Sequence, residues 1–350
     1  MERYSNILGC ILGTAVADSV GLKREGLSKQ RARRLYGGPP LKQNLIWGRG
    51  LCSDDTEHTL MVGRAVVISR GDVTQFEKQF ARELKRWFLC VPAGVGFATL
   101  RACLKLLVGF HPQRSGVNSA GNGPAMRSAI LGVCAEDEEH LSKLVYSSTR
   151  MTHVDSRAEA GALLIAQAAR QTIQGAACNP LEFLQSTVST VQNEELQNSL
   201  RSAIQHLSVG ASPERYAEAA GWGRGISGYV NQTVPAALYC WAYSPDDFRR
   251  SVENAVMLGG DTDSVAAITG AVSGANLGAD AIPVEWKERL MEWPRTTAWM
   301  ELLATSLSEG SLSTEALKPP SMYWLATIPR NLMFASVVLT LGFRRLLPPY

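Results

Sequence analysis

Apolar residues return every three or four positions along most of this chain, the spacing that lines one face of an α-helix. From Thr74 to Phe88, the residues Phe76, Phe80, Leu84, Trp87 and Phe88 form a broad stripe among charged positions. Similar spacing predicts helices over Phe97 to Val108, Glu138 to Thr149, Arg157 to Gln174 and Pro180 to Gln192. Shorter helices are expected over Pro213 to Ala220 and Asp246 to Met257, while Ala237 to Trp241 is an apolar run of ambiguous type. Long β-branched alternation is missing, and no Asn-Gly hairpin joins two such runs. No repeat at a solenoid period is visible. The pattern predicts an all-α fold, with ten or more helices around one core.

Four stretches stand apart from this pattern. Ile7 to Ala17 is apolar and ends in Ala15-Val16-Ala17, which imitates a signal peptide. The basic region before it is Arg3 alone, offset by Glu2, and the run holds two glycines and Thr14, so it reads as a tightly packed core helix. Lys23 to Arg49 has eight Lys/Arg and one Glu, and is expected to form a long surface loop. Residues 306 to 321 are Ser/Pro-rich and read as a linker between a body (residues 1–305) and a tail (322–350). In that tail, Leu332 to Leu341 marks a helix of about three turns, too short to span a bilayer. It is expected to dock on the body or on a second chain, with an anionic membrane surface as the alternative, and truncation near residue 310 is expected to spare the active site.

Hydrophobic residues make up 45% of the chain and charged residues 19%, which excludes global disorder. The net charge of +3 is too balanced for nucleic-acid binding by bulk electrostatics. Seven cysteines are scattered singly, without CxxC pairs. That argues against a disulfide framework or a Cys-rich zinc site, and suits isolated thiols in a reducing, cytoplasmic setting.

Two acidic motifs then change the picture. Ser53-Asp54-Asp55-Thr56 and Gly260-Asp261-Thr262-Asp263-Ser264 each place two carboxylates and neighbouring hydroxyls at the start of an apolar helix. N-capping accounts for one polar residue at each place. Adjacent carboxylates repel unless a cation or proton lies between them, and an oxygen-only ligand set suits Mg2+, Mn2+ or Ca2+. On spacing alone, capping and metal binding both stay open. The helix after the second motif carries Gly270, Ser273, Gly274 and Gly278, small residues that predict close packing at the centre of the fold.

Together these residues resemble the ADP-ribosylglycohydrolases. Gly9 to Gly21 (GCILGTAVADSVG) is similar to the family's glycine-rich opening helix and Gly-Asp-Ala-x-Gly turn, with Ala17 where the family usually has Gly. Glu25 falls at the spacing of the family's acidic residue, and Ser53 to Thr56 resembles its Thr-Asp-Asp-Thr motif. Asn118 to Arg127 (NSAGNGPAMR) is similar to its Gly-Asn-Gly-x-x-Met-Arg loop, and Gly260 to Ser264 completes the set. Thr152-His153 and Gly228-Tyr229 are weaker matches; after His153 the chain reads Val154-Asp155-Ser156 rather than a His-Pro type continuation.

The resemblance covers about residues 5 to 305 and implies a compact all-α domain with two Mg2+ or Mn2+ ions in a cleft. It implies hydrolysis of the bond between ADP-ribose and an acceptor, such as a mono-ADP-ribosylated protein side chain. Ser53, Asp54, Asp55, Asp261, Asp263 and Ser264 would ligate the ions. Glu25 would gate or serve as acid/base, with Asp54, Asp55 and Asp263 completing the catalytic group. Asn118, Ser119, Gly121, Asn122 and Gly123 would take the diphosphate, with His153 and Tyr229 at the substrate. An ADP-ribose-binding pseudoenzyme and a dinuclear hydrolase of another nucleotide glycoside or a phosphate ester are the competing readings.

Overall fold

Helices form almost wherever the apolar spacing calls for them. In a computed structural model, which describes residues 2–173, 179–309 and 318–348, the order is α1 (Glu2–Leu22), α2 (Lys29–Tyr36), α3 (Asp54–Ser69), α4 (Val73–Leu89), α5 (Phe97–Leu107) and α6 (Pro112–Ser115). There follow α7 (Ala129–Cys134), α8 (Glu138–Arg150), α9 (Ser156–Gln171), α10 (Pro180–Thr187), α11 (Glu194–Ser208) and α12 (Pro213–Ala219). The last six are α13 (Val230–Tyr243), α14 (Phe248–Met257), α15 (Thr262–Leu277), α16 (Val284–Glu288), α17 (Thr297–Glu309) and α18 (Thr327–Arg345). Among the described residues there are isolated β-bridges but no strand, as an all-α fold requires.

The centre is an antiparallel pair, α1 against α15. Every residue of α1 from Asn6 to Leu22 is buried, as is α15 from Thr262 to Ala275. Glycines set the spacing: a Cβ on Gly13 would lie 2.2 Å from the Gly270 carbonyl oxygen, so the two backbones touch. The Thr262 hydroxyl donates to the Gly21 carbonyl at 2.8 Å, which brings the acidic start of α15 to the end of α1. Helices α3, α7, α9, α13, α14 and α17 pack around this pair.

Several expectations are corrected. The basic stretch from Lys23 to Arg49 is more than a surface loop: it contains α2, and Arg24, Leu41, Gln43 and Leu45 are buried. Ala237 to Trp241 lies inside α13. The helix expected to reach Gln192 stops at Thr187, and α11 is an additional helix.

The supposed linker begins inside α17, where Ser306 and Leu307 are buried; residues 310–317 fall outside the described part. Trp299 donates its indole N–H to the Ser321 carbonyl at 2.9 Å, so the chain leading into the tail lies on the body.

Helix α18 also differs from its expected three turns. It has 19 residues, because Pro329 occupies the first turn, where a missing N–H costs nothing. Trp324 to Arg345 is long and apolar enough, by length and composition, to cross a membrane, and so is not too short to span a bilayer. The tail is not separable either. Arg330 is 3% exposed and forms ion pairs with Glu57 at 3.4 Å and Glu292 at 2.6 Å, and Arg295 completes a buried group of two acids and two bases. Arg330 also donates to the Cys52 carbonyl at 2.6 Å, one residue before Ser53. Phe334 packs beside Leu22, Leu45 and Leu51, with Val337, Val338 and Leu341 along the same face.

Candidate active site

The two acidic motifs meet because α1 ends where α3 and α15 begin. Asp18, buried in α1, accepts from the Ser53 N–H at 2.9 Å, the Thr56 N–H at 3.3 Å and the Thr56 hydroxyl. It thereby fixes the turn that carries Asp54 and Asp55. Ser53 caps α3, accepting from the Asp55 N–H at 3.2 Å. Capping does not explain the second motif: Asp261 stands at the cap position of α15, yet its side chain bonds no helix-start amide. Instead it accepts from the Asn122 amide at 2.7 Å.

Glu25 reaches the same place through a backbone clamp. The Gly26 N–H donates to the Gly260 carbonyl at 2.7 Å, and the Gly260 N–H donates to the Leu27 carbonyl at 2.8 Å. Gly260 has φ +80°, and a Cβ there would meet the Ile226 carbonyl oxygen at 2.0 Å, so this turn admits only glycine.

The result is a cleft of about 300 Å³. Glu25, Asp54, Asp55, Asp261, Asp263 and Ser264 line it, together with Ser119, Gly121, Asn122, Gly123 and His153. Ser53 lies behind Asp55, its hydroxyl donating to Asp55 Oδ2 at 3.0 Å while Ser264 donates to the same oxygen at 3.1 Å. Asn118 is exposed and does not line the cleft. Tyr229 stands at the cleft's edge, bridged to Gly121 through the backbone, with its hydroxyl on Glu195 and beside Arg157.

The glycine loop is built against His153. A Cβ on Gly123 would lie 3.0 Å from the His153 ring, and one on Gly121 would lie 3.1 Å from it. Arg127, fully buried, donates to the Gly123 carbonyl at 3.1 Å, the Ser148 carbonyl at 2.9 Å and the Thr152 hydroxyl at 2.7 Å. Burial lowers its pKa to about 9. Burial, then Arg127, pushes His153 down to about 3, so its ring is neutral.

Asp18 and Arg127 are the supporting residues that sequence reasoning did not single out. Each had a signal: Asp18 is a lone acid inside an apolar helix, and Arg127 closes the Gly-Asn-Gly segment.

The electrostatics are those of a cluster of buried acids. Burial raises Asp54, Asp55 and Asp263 well above the usual carboxylate range, and repulsion from neighbouring acids raises them further, chiefly Glu57 on Asp54, Asp18 on Asp55 and Glu25 on Asp263. Burial pushes Asp18 up to about 7, against the bonds from Thr56 and Ser53. Glu25 is raised by burial and by Asp261, with Arg345 pulling the other way. Asp55 Oδ1 and Asp263 Oδ1 are buried without a hydrogen-bond partner.

Among the described residues, no three His, Cys, Asp or Glu side chains are gathered tightly enough to hold an ion by themselves. The orphaned oxygens, together with the Ser264 hydroxyl, nevertheless form an all-oxygen set suited to a hard cation.

A family model described as ADP-ribosylglycohydrolase matches residues 1–316. An uncharacterized protein of Archaeoglobus fulgidus is 33% identical, over 88% of this chain and 96% of its own length. The ADP-ribosylhydrolase ARH3 of Danio rerio is 26% identical, over 81% of this chain and 85% of its own. The ADP-ribosyl-[dinitrogen reductase] glycohydrolase of Rhodospirillum rubrum is also 26% identical, over 82% and 90%. A solved structure titled "ADP-ribosylglycohydrolase-related protein complex" superposes with a TM-score of 0.67 at 28% identity, covering 89% of this chain and 99% of that one.

Proposed function

The chain belongs to the ADP-ribosylglycohydrolase family, and from that premise we propose that it hydrolyses the glycosidic bond joining ADP-ribose to an acceptor on a mono-ADP-ribosylated protein, using two Mg2+ or Mn2+ ions. One observation carries this reading: Glu25 and the four aspartates of two distant motifs share a single cleft with the Gly121–Gly123 loop.

Asp54, Asp55, Asp261 and Asp263, with Ser264 and the Ser53 hydroxyl behind them, would hold the ions. Bound there, the ions would offset the carboxylate repulsion, orient ribose hydroxyls and lower the pKa of a water. The chain's own residues do the rest. Asn122 positions Asp261, and the Ser53 and Ser264 hydroxyls orient Asp55. The backbone amides of the 121–123 loop suit a diphosphate, and the neutral His153 beneath keeps that loop in shape. Glu25, on its clamped loop, is the group free to move a proton at the scissile bond as an oxocarbenium-like state forms. The six described cysteines, all buried free thiols, support a cytoplasmic setting.

The test is release of ADP-ribose from a panel of defined mono-ADP-ribosylated proteins with Mg2+ or Mn2+ present. Asp261→Asn should lower bound metal and abolish most turnover. Release of phosphate instead of ADP-ribose would favour the phosphate-ester reading, and binding without turnover would favour the pseudoenzyme. Full metal content and rate in Asp261→Asn would refute the assignment of the site.

A further inference from the structure

We propose that α18 and the turn around Trp47 form a docking surface for an anionic lipid bilayer, with the helix lying in the plane of the interface. The inner face of α18 is already committed. Arg330, Asn331 and Phe334 are buried against the body, and Val337, Val338 and Leu341 follow on the same side.

The outer face should then be charged, as it is on α4, where Lys78, Arg82 and Arg86 are exposed. It is apolar instead. Leu332, Met333, Leu339 and Phe343 are exposed, the last two at 63% and 69%, and no charged residue lies between Arg330 and Arg344. Ser336 and Thr340 also face outward, but their hydroxyls donate back to the Leu332 and Ser336 carbonyls of the same helix, so the open side is largely apolar and lacks a partner.

Trp47 extends the surface. It is 97% exposed, on a backbone of φ 45° that disfavours a bulky residue. It stands beside α18 over a shallow apolar groove of about 470 Å³, lined by Leu45, Ile46, Met291, Met333 and Val337. An indole held out at the rim of an apolar face suits the headgroup level of a membrane.

Charge decides between a bilayer and a second copy. Glu315 is the last acid in the chain, and four basic residues follow it. Arg344 is exposed at the end of α18, and Arg49 and Arg289 are exposed beside Trp47, with Glu288 the neighbouring acid. Arg345 donates to the Lys23 carbonyl, and Lys23 lines a pocket of about 150 Å³ with Arg24, Tyr36 and Lys42, a basic recess suited to a headgroup phosphate. Two copies facing each other across this rim would oppose arginine to arginine, whereas an anionic surface complements it. Since Arg330 and Asn331 pin the inner face, about 28 Å of helix lies along the interface rather than through it.

The full-length chain should sediment with phosphatidylcholine vesicles containing phosphatidylserine, poorly with phosphatidylcholine alone, and less as salt rises. Leu339→Glu together with Phe343→Glu should weaken partitioning at least about tenfold, and Trp47→Ser should weaken it too. Arg344→Gln should cost about fivefold. None of these exposed substitutions should change the thermal midpoint or ADP-ribose release from a soluble substrate, which separates this proposal from the assignment of the cleft. The proposal is overturned if the folded chain ignores phosphatidylserine, or if partitioning survives the outer-face substitutions. It is also overturned if sedimentation velocity shows a dimer that Phe343→Glu dissociates while vesicle binding is absent.

Discussion

Gly26 and Leu27, the two residues after Glu25, tie its loop to the Gly260 turn, and Asp261, two residues from Asp263, repels its carboxylate. Glu25→Gln keeps the side chain's shape and removes its proton chemistry. It should lower kcat by ~10²–10⁴ and leave KM nearly unchanged. Steady-state kinetics on one defined substrate would check this, and a large rise in KM at constant kcat would make Glu25 a binding residue. The four aspartates drew notice in the sequence because paired carboxylates exceed what a helix cap needs. Spacing left capping and metal binding both open; the family resemblance decided between them and singled out Glu25. Asp18 and Arg127 were harder to read. Their importance lies in whom they touch, the Ser53–Thr56 turn and the Gly123 carbonyl, and spacing along a chain does not reveal such long-range partners. Asn118 shows the reverse: its motif is readable, but its neighbours line the cleft and it does not.

At the scale of elements, helices with a continuous apolar stripe, such as α4, were predicted to within a residue or two. Helix α2 was missed because its eight residues, half of them basic, bury only Ala32 and so show no stripe. The start of α18 was missed because Pro329, Arg330 and Asn331 interrupt the apolar run, although two of the three are buried through polar partners. Those partners matter to the site. Glu57 lies one turn beyond Asp54 in α3, and Arg330 grips both Glu57 and the Cys52 carbonyl. Arg330→Met leaves two buried carboxylates sharing Arg295, and breaking such a pair costs about 3–5 kcal/mol. Adding Glu292→Gln should restore part of that, since one acid and one base then remain. Urea denaturation of the single and double variants tests the idea. A cost below about 1 kcal/mol for Arg330→Met would mean that packing, not charge, holds α18. By the same argument, truncation near residue 310 should disturb the acidic turn rather than spare it.

For the whole molecule, the buried acids make stability depend on pH and on divalent ions together. Asp18 is raised to about 7, and Asp54, Asp55, Asp261, Asp263 and Glu25 are all raised. A group raised in the folded state contributes stability fully present below its unfolded value, about 3.9 for Asp, and loses it as pH climbs through the folded value. His58 and His153 act with the opposite sign: burial lowers both, so their contribution is present above about 6.5 and fades as pH falls. Between roughly pH 7 and 8 the histidine contribution is nearly complete and the acids dominate the change, by up to about 1.4 kcal/mol per pH unit for each group titrating there. In a chelator, the thermal midpoint should therefore fall across that range. Millimolar Mg2+ or Mn2+ binds the deprotonated folded cluster and not the unfolded chain, so its stabilisation should grow as pH rises. Asp261→Asn with Asp263→Asn should flatten both trends, because it removes charge from the cluster and donors from the ion site. Calorimetry across this range, with chelator and with each ion, checks the coupling. A chelated midpoint that stays level or rises toward pH 8, or an ion effect independent of pH, would show that the cluster keeps its protons or finds another counter-charge.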